Sequence, residues 1–379
     1  MAKLGDICTF QSGGTPSKSN SEYFNGSIPW ITTVALTGDY IDKNDAVDWI
    51  TDKAIQESAA KIVPENSILV GTRVGIGKVA INTVPMSTSQ DIVSLINVDD
   101  TEWDKRFLCK VISARNPYLL SQARGATIKG IKIDTLAKLE IPKIPLNEQR
   151  RISAVLDKVS GLIAKRREQL DKLDELVKAR FVEMFGDPSA NSQWPTQKLS
   201  KLGELNRGVS KHRPRNDPDL LGGPYPLIQT GDVSNSGLYI SDYSSTYSEL
   251  GLAQSRLWKE GTLCITIAAN IAQTSILAFD ACFPDSVVGF LPGEKTNAVF
   301  VHYWFSFFQK ILEEQAPQVA QKNINLKILS DLDVIVPPYN LQADFSDFVG
   351  QIEKSKLTIQ QSLDRLEVLK KALMQQYFG

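Results

Sequence analysis

The chain has 379 residues, with 42 Lys and Arg against 43 Asp and Glu, two histidines and four cysteines. At roughly 100–200 residues per domain this length predicts two or three domains, each able to bury a core without disulfides or metal. An apolar share of 42% and a charged share of 22% exclude global disorder and a membrane protein, while a net charge of −1 means that any nucleic-acid reading must rest on local charge.

The opening Met1-Ala2-Lys3-Leu4-Gly5-Asp6 has no apolar core behind its lysine, so no secretory leader is expected. Cys8, Cys109, Cys264 and Cys282 form no C-x-x-C pair, and His212 and His302 are far apart in the chain. That argues against a zinc site or a disulfide framework and for a reducing compartment, the cytoplasm. The longest strongly apolar stretch, Ala298 to Phe308, is broken by His302 and falls well short of the ~20 residues of a membrane span.

In chain order, β-like runs are expected at Ser67 to Val70, Lys78 to Asn82 and Ile92 to Asn97, with helices at Asp52 to Ala60 and Trp103 to Ser113. A long helix follows from about Ile152, with an apolar seam through Leu156, Val159, Ile163, Leu170, Leu173 and Val177 interrupted by Arg166 and Arg180. The steps of three and four give the 3.5-residue period of a coiled coil. After a linker at Asp187 to Ser192 the pattern restarts. Strands are expected at Leu263 to Ile267, Thr274 to Phe279 and Val287 to Leu291 and a helix at Ala298 to Glu314; a second seam then runs through Val349, Ile352, Ile359, Leu363, Leu366 and Leu373, interrupted by Lys356 and Lys370.

The two halves are copies. Lys201-Leu202-Gly203-Glu204-Leu205 repeats Lys3-Leu4-Gly5-Asp6-Ile7 at an offset of 198, and Glu260 to Ile265 repeats Glu65 to Val70 at 195. Lys322 pairs with Lys129, Pro338 with Pro145 and Asn340 with Asn147 at a constant 193. The offset drifts in the front segments and then locks, as expected for loops of variable length ahead of a gap-free helix. The fold class expected is mixed α/β (α+β): two α/β domains at 1–146 and 187–339, each followed by a helical region, 147–186 and 340–379. The two helices are expected to pack on each other.

Three motif groups carry a family resemblance: Gly71-Thr72-Arg73-Val74-Gly75-Ile76-Gly77-Lys78-Val79-Ala80, Gly125-Ala126-Thr127-Ile128-Lys129-Gly130-Ile131, and Ile141-Pro142-Lys143-Ile144-Pro145-Leu146-Asn147-Glu148-Gln149 leading into the helix. In this order, doubled and followed each time by a heptad helix, they resemble the specificity subunit of a type I restriction-modification system over essentially the whole chain. The second copy departs from the pattern with Asn270-Ile271-Ala272-Gln273 in place of Gly75-Ile76-Gly77-Lys78. The resemblance implies two target recognition domains that each read one half of a bipartite double-stranded DNA site. It further implies that the two long helices form an antiparallel coiled coil, giving the chain an internal pseudo-two-fold repeat, in a non-catalytic subunit that recruits two methyltransferase subunits and, in the full complex, restriction subunits. S-adenosylmethionine, ATP and magnesium then belong to those partners and no cofactor or metal to this chain.

Enzymatic motifs fail in detail. Gly71 to Lys78 lacks a phosphate loop's glycine spacing and has Val79 where a magnesium ligand belongs, so a hairpin is expected. Val336-Pro337-Pro338-Tyr339 resembles the methyltransferase Asn/Asp-Pro-Pro-Tyr loop, but Val336 cannot accept from an adenine amino group. A fused adenine-N6 methyltransferase and a coiled-coil adaptor without DNA recognition are the alternatives to a DNA reader.

Candidate DNA contacts follow from residue type and loop context. Lys18, Arg73, Lys78, Arg124, Lys129 and Lys132 in the first copy, with Lys211, His212, Arg213, Arg215 and Lys322 in the second, supply cationic or imidazole groups for phosphate. Gln90, Gln229, Gln273 and Asn323 are of the types that pair bidentately with adenine, and Ser12, Thr15, Thr32 and Thr230 offer hydroxyls. His302, among Phe300, Tyr303, Trp304 and Phe305, is expected to pack inside the second domain.

Overall fold

Apolar runs set between Gly, Asn and Pro break the front of the chain into short strands: β1 (Thr9–Ser12), β2 (Tyr40–Ile41), β3 (Ile68–Gly71), β4 (Val79–Asn82) and β5 (Ile92–Ile96). They form one sheet in the order β1-β5-β3-β4-β2, antiparallel except for the β2–β4 pair. The computed structural model describes residues 1–379 apart from 38–39, 126–128, 188–192, 269–270 and 316–323, and apart from the side chains of 308–315. By its internal contacts it divides into two units, Met1–Arg167 with Ser362–Gly379, and Glu168–Gln361.

In the first unit β3 is buried along its whole length because both faces are covered. Alternate residues point to opposite sides of a strand. Ile68 and Val70 accordingly meet Phe107, Leu108, Val111 and Ile112 of helix α1 (Lys105–Ala114), whereas Leu69 meets Ile31, Val63 and Met86 of a second, four-stranded sheet. That sheet has the order Asp48–Ile50, Phe24–Ile31, Met86–Thr88, Ile62–Val63. Asp104 caps α1 by accepting the Phe107 N–H at 2.8 Å. A short helix α2 (Ile133–Ala137) then leads to α3 (Leu146–Phe185).

The second unit repeats this plan. Strands β6 (Gly203–Arg207), β7 (Tyr239–Ile240), β8 (Leu263–Thr266), β9 (Thr274–Leu277) and β10 (Val287–Pro292) take the order β6-β10-β8-β9-β7, again antiparallel except for one parallel edge pair. Helix α4 (Ala298–Gln315) packs Phe300, Val301 and Trp304 against Leu263, Ile265 and Val288, and a four-stranded sheet contributes Ile228, Ala281 and Trp258 to the opposite face. Helices α5 (Leu326–Ser330) and α6 (Tyr339–Phe378) complete the repeat.

One glutamine fastens each long helix to its front domain. Gln149 Nε2 donates to the carbonyls of Glu102 and Ile144, both at 2.9 Å, and its Oε1 accepts the Asp104 N–H at 2.9 Å. Gln342 does the same with the carbonyls of Lys295 and Pro337 at 3.0 and 2.9 Å and with the Thr296 hydroxyl at 2.9 Å. Both side chains are buried, so their amides have no water to fall back on.

Within each unit the helix segments run antiparallel. In the first, Phe378 joins Ile152 and Leu156 in the core and stacks edge-on against Phe107 at 5.6 Å, while Arg167 reaches Glu367 at 2.7 Å. In the second, Phe345 packs on Phe181 and Phe185 at 5.4 and 5.6 Å, Arg180 lies 5.9 Å over the Phe348 ring, and Lys356 pairs with Asp174 at 2.9 Å. Of the seam, Leu156, Val159, Ile163, Val177, Val349, Ile352 and Leu363 are buried; Leu170, Leu173, Ile359, Leu366 and Leu373 are half-buried. Burial works against the Lys356 charge, but hydrogen bonds to Asp174 and Glu353 outweigh it and hold the ammonium above its usual pKa. No helix among the described residues is long and apolar enough to cross a membrane.

Candidate nucleic-acid interface

Gly71 to Lys78 forms a turn between two strands rather than between a strand and a helix: the Gly71 N–H donates to the Lys78 carbonyl at 2.8 Å, and the Gly77 N–H to that of Gly71 at 3.0 Å. Gly75 and Gly77 sit at φ +70° and +76°, the left-handed region that glycine tolerates best. In the second unit Ala272, at φ 58°, occupies the place of Gly77, and its N–H donates to the Thr266 carbonyl at 2.8 Å. The hairpin is therefore retained although its glycine is replaced.

The first hairpin presents Arg73 and Lys78, both exposed. Arg73 lies against an antiparallel bridge, in which Arg124 and Gly130 exchange backbone hydrogen bonds at 2.9 Å, with the exposed Lys129 just before Gly130. The Ile131 N–H donates to the Thr72 carbonyl at 2.8 Å and ties this bridge to the hairpin. The result is a cleft of about 650 Å³ lined by Arg73, Arg124 and Lys132, and also by Tyr118, Gln122 and Lys138, which sequence reasoning missed.

Another group of candidates meets at the junction of the two sheets. Gly13 donates to the Ile92 carbonyl at 3.0 Å, Gly14 to that of Thr88 at 2.8 Å, Ser89 to that of Ile31 at 2.8 Å, and Gln90 to the Thr15 hydroxyl at 3.4 Å. These bonds bring Ser12, at the end of β1, and the loops carrying Thr15, Thr32 and Gln90 to one edge. Lys18 lies further along the first loop and is exposed. The second unit builds the matching edge: Gly208 donates to the Val287 carbonyl and Ile228 to that of Cys282, both at 2.8 Å. Gln229 and Thr230 line a cavity of about 310 Å³ there with Ser210 and Arg215. Gln273 is half-buried at the start of β9, and Lys322 and Asn323 lie outside the described residues.

The basic stretch of the second unit is not a row of free cations. Arg213 and Arg215 both pair with Asp285, Arg207 donates to the Asp285 carbonyl at 2.9 Å, and His212 lies 2.8 Å from Asp217. The Asp219 N–H and His212 together hold the Asp217 carboxyl below its usual pKa. Gln254 Oε1 accepts the Lys211 and His212 N–H groups at 2.6 and 3.1 Å, which shapes the loop. Asp285 and Gln254 are distant in sequence, so no local signal pointed to either. Elsewhere in this unit His302 is half-buried with Nδ1 3.0 Å from the Thr274 hydroxyl; loss of solvent around the ring, helped by the Lys356 charge, pushes its pKa down to about 4. Among the described residues no three His, Cys, Asp or Glu side chains are grouped to hold a metal.

Val336 to Tyr339 joins the second unit's edge strand to α6. The Val336 N–H donates to the Pro195 carbonyl at 2.8 Å and the Pro337 carbonyl accepts from Gln342, so the segment is a connection.

Comparison with known proteins gives a consistent answer. The family model for the type I restriction modification DNA specificity domain matches residues 1–174 and again 191–370. The MjaIX specificity subunit of Methanocaldococcus jannaschii is 32% identical over 409 residues, covering 99% of this chain and 91% of that protein. The MjaVIII specificity subunit of the same organism is 22% identical over 408 residues, covering 99% and 90%. In fold, the S subunit of a type I restriction-modification system from M. genitalium superposes with a TM-score of 0.61 at 17% identity, covering 100% of this chain and 95% of that one. The chain thus belongs to the specificity subunits of type I restriction-modification systems, the non-catalytic, DNA-reading component of such complexes.

Proposed function

We propose that each unit's front domain, residues 1–146 and 187–339, reads one half of a bipartite duplex target, and that the helical regions 147–186 and 340–379 set the spacing between the halves. The observation that carries this reading is the doubled edge: Gly13 donates to the Ile92 carbonyl beside Ser12, Thr15, Thr32 and Gln90 in one copy, and Gly208 donates to the Val287 carbonyl beside Gln229 and Thr230 in the other. Amide and hydroxyl groups on a sheet edge suit base contacts in a groove. Arg73, Lys78, Arg124, Lys129 and Lys132 suit phosphate, as do Lys18, Lys211, His212, Arg213, Arg215 and Lys322, while Gln273 and Asn323 complete the polar candidates. Each long helix has 40 residues, about 60 Å at 1.5 Å per residue, enough to separate half-sites by more than one turn of DNA.

In this reading two methyltransferase subunits dock on the chain in the cytoplasm, and restriction subunits join them. Those partners supply the methyl donor, ATP and magnesium, and extrude the target base. Inserting one heptad into both long helices tests the spacing role. Mapping of methylated adenines should show the same two half-sites with a longer spacer. Altered half-sites, or an unaltered spacer, would refute it.

A further inference from the structure

The two units can be compared position by position, because the same backbone hydrogen bonds recur. Ile131 donates to Thr72 at 2.8 Å as Ile324 does to Ile267 at 3.0 Å; Leu4 donates to Leu139 as Leu199 does to Leu332, both at 2.9 Å. Lys132 and Asn325 occupy the N-caps, and Lys138 and Asp331 the C-caps, of the matching helices α2 and α5. On this alignment Ala268 stands where the first unit has Arg73, Asn325 where it has Lys132, Lys327 where it has Asp134, and Asp331 where it has Lys138.

Charge at these places differs sharply. The cleft of the first unit gathers Arg73, Arg124, Lys132 and Lys138 around a single acid, Asp134. Arg73 is half exposed and 3.8 Å from Asp91; Arg124, Lys132 and Lys138 form no ion pair among the described residues. The second unit offers one lysine, one aspartate and two neutral residues at the equivalent described positions. Pro317, which matches Arg124 in sequence, lies outside the described residues. In that unit's basic loop Asp285 engages both Arg213 and Arg215, which leaves one net positive charge among the three.

We propose that the first unit's cleft grips the sugar-phosphate backbone of duplex DNA, and that the two recognition units bind with unequal electrostatics. The first supplies most of the salt-sensitive, sequence-independent attachment, and the second engages through shape and polar groups. This rests on the DNA-reading role given above. A phosphodiester suits the cleft because its walls are exposed cations with the Gln122 amide and the Tyr118 and Thr135 hydroxyls beside them. Each phosphate neutralised by such a cation adds about 0.9 to the slope of log K against log salt.

The test is binding of the full chain to a random-sequence duplex of roughly 40 bp across a salt series. Replacing Arg124, Lys132 and Lys138 together by glutamine should lower the slope by about 3, whereas Lys327→Gln should change it by less than about 1. The reverse variant, Asn325→Lys with Asp331→Lys, should raise it by about 2. Unchanged melting curves for the glutamine variants would show that folding is not the cause. A triple variant with the parent's slope, or a Lys327→Gln variant that loses as much, would overturn the proposal and leave the DNA-reading role standing. A parent chain that binds no duplex at low salt would overturn both.

Discussion

Replacing Gln342 by leucine tests whether a single buried amide fastens the second domain to its helix. The substitution keeps the volume and removes three hydrogen bonds, to the carbonyls of Lys295 and Pro337 and from the Thr296 hydroxyl. At about 1 kcal/mol each the bonds alone amount to ~3 kcal/mol, and two carbonyls left dry add ~1–3 kcal/mol apiece. Burial of the added apolar surface offsets ~1–2 kcal/mol, so the net loss expected is at least about 3 kcal/mol. For a unit of this size that lowers the melting temperature by roughly 6–12 °C. Calorimetry of the full chain should show one transition moved and the other in place, and Gln149→Leu should move the other one. Gln351→Leu, on the exposed face of the same helix, should alter neither by more than ~2 °C. A Gln342→Leu chain that melts with the parent would refute the clamp.

Gly77→Ala puts a methyl 2.8 Å from Asn116 Cγ at a backbone φ of +76°. The left-handed conformation costs ~1–2 kcal/mol and the crowding about another 1 kcal/mol, so denaturant unfolding should register a loss of roughly 2–3 kcal/mol, and an unshifted midpoint would count against the hairpin geometry. His302 gives a pH dependence. With its pKa pushed down to about 4 in the folded unit, the unfolded chain binds a proton between its ordinary value of ~6.5 and about 4 that the folded unit excludes. Stability should therefore fall as pH drops through that window, by up to roughly 3 kcal/mol, and level off below it. His302→Gln should remove that component; parallel losses in parent and variant would show that His302 does not contribute it.

Much of the fold was legible because the repeat lies in core strands and helices, where both copies keep the same alternation. The four-stranded sheets were not. Their longest strands, Phe24–Ile31 and Leu221–Leu227, contain Gly26 and Pro29, and Gly222, Gly223, Pro224 and Pro226. These residues signal turns, yet bulges between Phe24 and Ile28 and between Leu221 and Tyr225 accommodate them. At the interface, the residue types were readable but their company was not. The bond from Ile131 to Thr72 brings Arg73 beside Lys132 across 59 positions of chain, and Asp285 neutralises Arg215 across 70. Gln149 was visible as part of a repeated motif, but its clamping role exists only where the carbonyls of Glu102 and Ile144 converge on it.

The most direct test of the central claim is a genome-wide map of methylated adenine in cells with and without this chain, its methyltransferase partner being present in both. The account predicts one bipartite motif, two short half-sites at a fixed spacing, that is methylated with the chain and lost without it. A motif that persists in its absence, or a dependent motif that is continuous rather than split, would contradict it.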